Sequence, residues 1–255
     1  MPLEFQSRPA LIAYLTCGDS GLDTTRDVAL AAIEAGAEVI ELGVPFSDPV
    51  ADGPVIQRAS ERALRNGTTL ANVLGLAGEL RGQKPRAGLI IFSYFNPVLQ
   101  MGLERFAAAA AEAGVDGALV TDLTVEEAGD YLSVMRKRKL ATVFLAAPTS
   151  TDARLKRIAQ ASTGFVYAVS RTGVTGARQQ LSAEARQLVR RLRRFTKLPL
   201  AVGFGISTAE QFAEAGSFAD AVVVGSALVE LVERSGRSSA ARAVGQFISR
   251  LGARH

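Results

Sequence analysis

The sequence predicts a protein of the α/β class that forms a single (β/α)8 barrel domain over residues 1–255. Three observations lead to this prediction. Eight short β-rich runs alternate with amphipathic helical segments along the whole chain. The runs are almost continuously apolar, as expected of parallel strands that are buried on both faces. A similar turn from helix to strand recurs, and no linker rich in proline or serine divides the chain.

The predicted strands cover, in order, residues 11–16, 38–43, 88–93, 117–121, 141–146, 164–169, 200–203 and 221–224. Helical segments with end signals lie between them. One begins at Asp23 or Thr24 and ends at Gly36, and another begins at Thr208 and ends at Gly216.

The recurrent turn reads "EAGAEVIELG" from Glu34, "EAGVDGALVTD" from Glu112 and "EAGSFADAVVVGS" from Glu214. Such similarity indicates one βα unit that is used many times, and eight units close most naturally into a barrel. A doubly wound open sheet is the alternative. It would leave edge strands that this sequence does not obviously protect.

Composition narrows the class of protein. The chain is 48% hydrophobic and 21% charged, which is typical of a globular protein. It has no apolar run long enough for a membrane helix and no signal-peptide pattern at its start, so we expect a cytoplasmic protein. Cys17 is the single cysteine and His255 the single histidine. Internal disulfides are therefore excluded, and no metal site is predicted.

The net charge of +4 comes mostly from arginine. The densest cluster, residues 186–195, carries apolar residues at helical spacing, so its arginines fall on the solvated face of a helix. No nucleic-acid-binding motif accompanies it. The positive charge suits an anionic small-molecule substrate.

In (β/α)8 barrels the chemistry lies at the C-terminal ends of the strands and in the loops that follow. A Schiff-base aldolase would need a lysine there. All five lysines instead precede predicted strands or lie on an outer helix: Lys84, Lys137, Lys139, Lys156 and Lys197. Acid–base chemistry therefore falls to carboxylates and to a tyrosine.

Glu41 is the strongest single candidate, because it lies near the end of an otherwise apolar strand. Side chains alternate along a strand, so Val39, Glu41 and Gly43 share one face. If that face points into the barrel, burial raises the pKa of the carboxyl, which can then both donate and accept a proton. The alternative is a glutamate paired with an internal arginine, for which the strand ends offer only Arg171.

The loop that follows holds Asp48 in "SDP" and Asp52 in "ADGP". Both sequences are typical of turns. Spacing alone leaves each aspartate open as a turn residue or a site residue, although a loop of this length after a barrel strand is more often functional.

Three later loops complete the predicted site. The segment "SRTGVTGAR" after the sixth strand has the glycines of a mobile flap that closes over a substrate. "GFGIST" and "VVVGSA" follow the seventh and eighth strands and place glycine and a hydroxyl residue at helix starts. A pair of such loops is the recurrent phosphate site of these barrels.

Six segments together resemble the tryptophan synthase alpha chain family over nearly the whole sequence. They are "YLTCGDSG", "ELGVPFSDPVADGPVIQ", "YFNPV", "SRTGVTGA", "GFGIS" and "GSALV", and the second is the most specific. The resemblance implies a TIM barrel that cleaves indole-3-glycerol phosphate by a retro-aldol step to indole and glyceraldehyde 3-phosphate, without metal or cofactor. Ser20 and Thr124 depart from prolines that are common in the family, at positions with no catalytic role.

The resemblance also assigns roles to residues of this sequence. It implies an acid–base role for Glu41, binding of the indole N–H by Asp52, and contact of Asp48 with a partner chain. The remaining implied positions are catalytic Tyr167 and Thr175, phosphate-binding Gly176, Gly205, Gly225 and Ser226, and substrate-binding Tyr14, Tyr94, Leu119 and Phe204. Core packing explains these last four almost as well.

The family works as an alpha2beta2 complex with a pyridoxal-phosphate (PLP) beta chain, so the resemblance implies that partner and assigns the cofactor to it. Two alternatives remain. One is another phosphate-binding barrel enzyme, although such enzymes depend on lysine or paired aspartates at the strand ends. The other is a non-catalytic barrel that binds a phosphorylated ligand and activates a partner.

Overall fold

The parallel strands close into a barrel in which each strand pairs with its neighbours in sequence, and β8 pairs with β1. The structure is a computed structural model that describes residues 3, 5–84, 86–169, 178–203 and 205–252. The strands are β1 Ala10–Thr16, β2 Ala37–Gly43, β3 Gly88–Ser93, β4 Gly117–Val120, β5 Ala141–Ala146, β6 Val166–Val169, β7 Leu200–Gly203 and β8 Ala221–Val224. The predicted fold class is confirmed, and the alternative open sheet is excluded.

Helices form the outer layer. They are α1 Leu22–Glu34, α2 Pro54–Arg65, α3 Leu70–Gln83, α4 Phe95–Met101, α5 Leu103–Glu112, α6 Gly129–Lys137, α7 Asp152–Ala161, α8 Arg178–Leu192, α9 Ala209–Gly216, α10 Ser226–Ser235 and α11 Ala240–Gly252. The connections β2–β3 and β3–β4 and the segment after β8 each hold two helices. Within the described ranges, no helix is both long and apolar enough to cross a membrane. The cytoplasmic location stays a prediction.

The starts of β1 and β2 and the end of β4 each lie one residue from the predicted position, and two further boundaries were wrong. Helix α1 begins at Leu22 rather than at Asp23 or Thr24, because Gly21 occupies the N-cap position with φ +98°. Strand β6 begins at Val166 rather than at residue 164. The N–H groups of residues 163 and 164 both donate to one carbonyl of β5, that of Thr142, and the chain bends there before the regular strand begins. Helix α9 matches its prediction, with Thr208 as a capping-box residue.

Strand side chains divide into two apolar clusters as the alternation predicts. Ile40 and Leu42 pack outward against the helices, whereas Val39 faces into the barrel. The interior is filled by a cluster that includes Ala10, Ile12, Tyr14, Val39, Ile90, Leu119, Val143, Phe165, Ala201, Ala221 and Val223. Glu41 shares the face of Val39 and is therefore the carboxyl at the top of this packed interior.

The recurrent turn has a structural role at the opposite end of the barrel. The side chain of Asp116, one residue before β4, accepts the N–H of Leu89 at 2.8 Å. Asp220, one residue before β8, accepts the N–H of Leu200 at 2.8 Å in the same way. Glu38, the second residue of β2 and the equivalent position of the first repeat, accepts two N–H groups of the segment that leads into β1. These acidic side chains tie the starts of neighbouring strands together.

Candidate active site

A cavity of about 450 Å³ opens at the C-terminal ends of the strands. Its lining includes the predicted site residues Tyr14, Glu41, Asp52, Tyr167, Gly205, Gly225 and Ser226. These residues come from the loops and strand ends of β1, β2, β6, β7 and β8. A larger cavity, about 980 Å³, lies at the other end of the barrel. The described residues that line it include no tyrosine, and its carboxylates Glu38 and Asp116 accept backbone N–H groups at or just before the strand starts.

Glu41 is a buried carboxyl at the top of the packed interior. Its side chain is 0% exposed, and among the described residues no donor lies within hydrogen-bond distance of either carboxyl oxygen. Burial in an apolar surrounding raises its pKa from 4.5 to about 8. The carboxyl is therefore mostly protonated at neutral pH. An internal arginine partner for Glu41 is not found among the described residues, and Arg171 lies outside them.

Asp52 lies in the loop after β2 and is held by a tyrosine from the next unit. The hydroxyl of Tyr94 donates to Asp52 Oδ2 at 3.1 Å and accepts the N–H of Ala51 at 2.9 Å. The Tyr94 ring is fixed in turn by stacking on Phe46, with ring centroids 5.0 Å apart. The backbone N–H of Asp52 closes a turn onto the carbonyl of Pro49. The sequence left Asp52 open as a turn residue or a site residue. In the structure it is both, because its backbone closes a turn and its side chain lines the cavity.

Two effects oppose each other at the Asp52 carboxyl. Burial raises its pKa from 3.8 to about 6, and the hydrogen bond from Tyr94 limits the rise. Asp52 is therefore mostly ionised at neutral pH, where Glu41 is mostly protonated. Two carboxyls in one cavity with pKa values on opposite sides of neutrality can supply an acid and a fixed negative charge.

Asp48 is placed differently. It is exposed, accepts a hydrogen bond from the hydroxyl of Ser47 at 2.5 Å and is not part of the cavity lining. Of the two interpretations left open by the sequence, this position favours a turn residue on an outward-facing loop and not a site residue.

Two tyrosine rings enter the cavity where glycines leave room for them. A Cβ at Gly43 would lie 2.4 Å from the Tyr14 hydroxyl, and one at Gly203 would lie 2.4 Å from the Tyr167 hydroxyl. Burial is the largest cause that raises the pKa of each tyrosine, with the nearby carboxyls adding to it. Both hydroxyls therefore stay protonated and can donate hydrogen bonds.

The predicted phosphate end is built from the loops after β7 and β8. Gly205 adopts φ +66°, a left-handed conformation that favours glycine. Helix α10 begins at Ser226, and its N-cap residue Gly225 offers no side-chain cap. The first N–H groups of α10 thus lie at the cavity with the positive end of the helix dipole behind them, which favours an anion.

Other predicted residues lie elsewhere. Thr175, Gly176 and Phe204 fall outside the described residues. Leu119 is fully buried in the interior cluster and does not line the cavity, so its contact with a substrate stays a prediction. Tyr94 is not part of the cavity lining, and its hydroxyl contacts Asp52 instead, so its predicted contact with a substrate stays a prediction.

The sequence prediction missed several lining residues, among them Phe92, Thr121 and Leu145. Phe92 packs edge to face on Tyr14, with ring centroids 4.9 Å apart. The signal that could have found Phe92 and Leu145 is the two-residue alternation, since each lies two positions beyond an interior residue of its strand. Among the described residues, no group of three histidine, cysteine, aspartate or glutamate side chains is arranged to hold a metal ion.

Comparison with known proteins gives one consistent family. Residues 2–251 match the model of the family described as "Tryptophan synthase alpha chain". The chain is 57% identical over 238 residues to the tryptophan synthase alpha chain of Solibacter usitatus, with 93% of this chain and 89% of that protein covered. It is 45% identical to that of Geobacter sulfurreducens, with 98% and 94% covered.

Solved structures agree with the sequence relatives. A chain of the tryptophan synthase complex from Pyrococcus furiosus superposes with a TM-score of 0.87 at 39% identity, covering 96% of this chain and 98% of that one. A chain of ligand-free tryptophan synthase from M. tuberculosis superposes with a TM-score of 0.86 at 36% identity, covering 96% and 93%.

Proposed function

The chain belongs to the tryptophan synthase alpha chain family, and on that premise we propose that it cleaves indole-3-glycerol phosphate to indole and glyceraldehyde 3-phosphate. It does so as a carbon–carbon lyase of tryptophan biosynthesis. The observation that carries this proposal is the buried carboxyl of Glu41, which has no hydrogen-bond partner among the described residues, in the same cavity as the carboxyl of Asp52.

The first step is a proton transfer to the indole ring. Glu41, protonated at neutral pH, donates its proton to C3 of the indole, and the ring nitrogen acquires a positive charge. The carboxylate of Asp52 accepts the ring N–H and stabilises that cation. Tyr94 keeps Asp52 ionised and oriented for this contact.

The second step breaks the carbon–carbon bond. The bond between C3 and the hydroxyl-bearing carbon of the side chain breaks, and its electron pair returns to the indole ring. The hydroxyl on that carbon loses its proton to the Glu41 carboxylate as the aldehyde forms. Glu41 thereby regains its proton, so the chain ends the cycle in its starting state.

The phosphate of the substrate binds at the N-terminus of α10 through Gly225 and Ser226, with Gly205 across from them and Gly176 from the segment after β6. Tyr167 and Tyr14 offer hydroxyl groups and ring faces to the substrate. The roles of Thr175, Leu119 and Phe204 follow from the family resemblance. We treat residues 1–255 as one catalytic domain.

The partner we propose is a beta chain that carries PLP, in an alpha2beta2 complex. Support comes from the similarity to a chain of the Pyrococcus furiosus tryptophan synthase complex. This chain has no lysine at the strand ends of its cavity that could hold PLP, so the cofactor belongs to the beta chain. The alpha step needs no cofactor, since Glu41 and Asp52 supply its acid, its base and its fixed charge.

The test measures indole release from indole-3-glycerol phosphate, with and without a beta chain. We expect the wild type to cleave the substrate and the beta chain to accelerate it. Glu41→Asp, which retracts the carboxyl by one methylene, and Glu41→Gln should lose at least about a hundredfold in kcat. Glu38→Gln is the matched control at the other end of the same strand and should keep its turnover.

Two results would contradict the proposal. One is cleavage by Glu41→Gln at the wild-type rate, which would make the carboxyl structural. The other is a wild type that activates beta-chain chemistry without ever releasing indole, which would support the non-catalytic barrel.

A further inference from the structure

Arg62, on the third turn of α2, contacts two carboxylates from different parts of the barrel. Its Nε and Nη2 donate to the two oxygens of Asp19 at 2.5 and 3.1 Å. Its Nη1 donates to Glu233 Oε1 at 2.7 Å. The Asp19 side chain is only 4% exposed, and the two parallel bonds from this arginine are charge-assisted. Arg62 lies outside the cavity lining.

These contacts join three elements at the top of the barrel. Asp19 lies in the loop between β1 and α1, Arg62 on α2 and Glu233 on α10. Asn66, just after α2, reinforces the first junction by donating to the carbonyls of Gly18 and Asp19 at 2.9 and 3.3 Å. Helix α2 is thus fixed at its C-terminal end to both neighbours.

The other ends of these helices carry the site. Helix α2 begins at Pro54, two residues after Asp52, and the side-chain amide of Gln57 donates to the carbonyl of Asp52 at 2.9 Å. A shift of α2 therefore displaces the Asp52 loop. Helix α10 begins at Ser226 in the cavity and carries Glu233 two turns later. The distance between Asp52 and the phosphate end depends on how α2 and α10 are held together.

We propose that Arg62 is a positioning residue for the reaction, because it joins α2 to α10 and to the β1–α1 loop and so sets Asp52 against the phosphate end of the cavity. The expected effect on kinetics rests on the proposed function, since it is measured as cleavage of indole-3-glycerol phosphate. A guanidinium suits the role, since its planar fork makes the two parallel bonds to Asp19 while a third N–H reaches Glu233.

The test compares Arg62→Met and Arg62→Lys with Arg193→Met. Arg193 is a matched control because it also pairs with a mostly buried aspartate, Asp220, but at the bottom of the barrel. For Arg62→Met we expect kcat to fall about tenfold or more, since small displacements of reacting groups carry large rate penalties. The KM for indole-3-glycerol phosphate should rise severalfold. Arg62→Lys should be intermediate, and Arg193→Met should keep both constants within twofold of wild type.

Hydrogen exchange of the intact proteins provides a readout that does not depend on turnover. In Arg62→Met we expect faster exchange of the amides of residues 51–57 and 226–228 than in Arg193→Met. Glu233→Gln leaves the buried Asp19 pair intact and should show the same local change to a smaller degree, which covers the case that Arg62→Met does not fold.

Unchanged kinetics and unchanged local exchange in the folded Arg62 variants, or in Glu233→Gln if they do not fold, would overturn the inference. Equal losses of activity in Arg62→Met and Arg193→Met would also overturn it, because the effect would then be general destabilisation. A wild type that releases no indole would refute the proposed function instead, and the exchange data would still decide the role of Arg62.

Discussion

At the scale of single residues, Glu41 and Asp52 show how surroundings assign different roles to similar groups. Both are withdrawn from water, which raises both pKa values. Only Asp52 receives a hydrogen bond in its ionised form, and its pKa stays near 6 while that of Glu41 reaches about 8. One tyrosine hydroxyl therefore contributes to the separation between the acid and the fixed negative charge.

This separation predicts a bell-shaped pH dependence of kcat/KM. Activity should rise through about 6 as Asp52 ionises and fall through about 8 as Glu41 loses its proton. Replacing Tyr94 by Phe removes the hydrogen bond that favours the ionised form of Asp52. Its pKa should then rise, and the acid limb should move to higher pH while the alkaline limb stays in place. Steady-state kinetics between pH 5 and 9 measure both limbs.

The control for this measurement is Tyr131→Phe, which also removes a buried tyrosine hydroxyl but one that bonds to the carbonyl of Ala118. Its pH profile should match that of the wild type. The substrate phosphate titrates near pH 6 as well, but its pKa is the same for every variant. An acid limb that does not move in Tyr94→Phe would show that Asp52 does not control it.

Residue-level prediction from the sequence succeeded where the signal was local. The two-residue alternation of β2 correctly placed Glu41 on the face of Val39, and the structure shows that this face points into the barrel. The environment of Asp52 could not be predicted in this way, because its partner Tyr94 lies 42 positions along the chain. Spacing left Asp52 open between turn and site, and the folded loop combines both.

At the scale of elements, the recurrent helix-to-strand turn provides the acidic side chains that fasten the bottom of the barrel. Asp116 accepts the N–H of Leu89 in β3. It also accepts a hydrogen bond at 2.7 Å from Nη2 of Arg81, on helix α3, which precedes β3. Asp220 repeats this arrangement with Leu200 and Arg193. The repeat detected in the sequence is therefore a repeat of hydrogen-bonding function as well as of shape.

We predict that Asp116→Ala lowers the free energy of unfolding by about 1–3 kcal/mol, because it leaves the N–H of Leu89 without its acceptor. The arginine contact adds little, since the Asp116 side chain is 38% exposed and the pair is screened. Urea unfolding measures the change. The kinetic constants should stay at wild-type values, because the site lies at the opposite end of the barrel.

The control is Asp27→Ala, which removes an exposed aspartate paired with its neighbour Arg26. It should change the free energy of unfolding by less than about 0.5 kcal/mol. Equal stability of Asp116→Ala and the wild type would show that the recurrent turn acts only through its backbone.

Element prediction was good for strands and weaker for connections. Continuous apolar runs located all eight strands of the described barrel. The doubled helices were not predicted. In the case of α4 and α5, a single residue, Gly102, ends one helix and begins the next, so no loop marks the division. The start of α1 was misplaced because glycine, rather than a capping side chain, precedes it.

At the scale of the whole molecule, closure of the barrel explains why residues far apart in sequence meet in one cavity. The sequence alone predicts this meeting, because the loops after the strands of a (β/α)8 barrel, here those after β1, β2, β6, β7 and β8, lie at one face. The shape of the cavity could not be predicted, because it depends on where Tyr14 and Tyr167 find space beside Gly43 and Gly203.

The packed interior also explains why an unpartnered carboxyl is tolerated. Below Glu41 the barrel is filled by apolar side chains that provide no charge to pair with it. Such a site disfavours the ionised form far more than the neutral one. The fold therefore keeps Glu41 protonated at the pH at which an acid is needed.

The proposed mechanism requires Glu41 to be protonated at neutral pH, and titration of that one carboxyl measures this without any turnover. Wild type and Glu41→Gln would be labelled with glutamate carrying ¹³C at the side-chain carboxyl, and carboxyl chemical shifts would be followed from pH 4 to 10. We expect one wild-type signal with a midpoint near 8 that is missing from Glu41→Gln. If every glutamate signal instead titrates near the ordinary value of about 4.3, Glu41 is ionised at neutral pH and cannot be the proton donor.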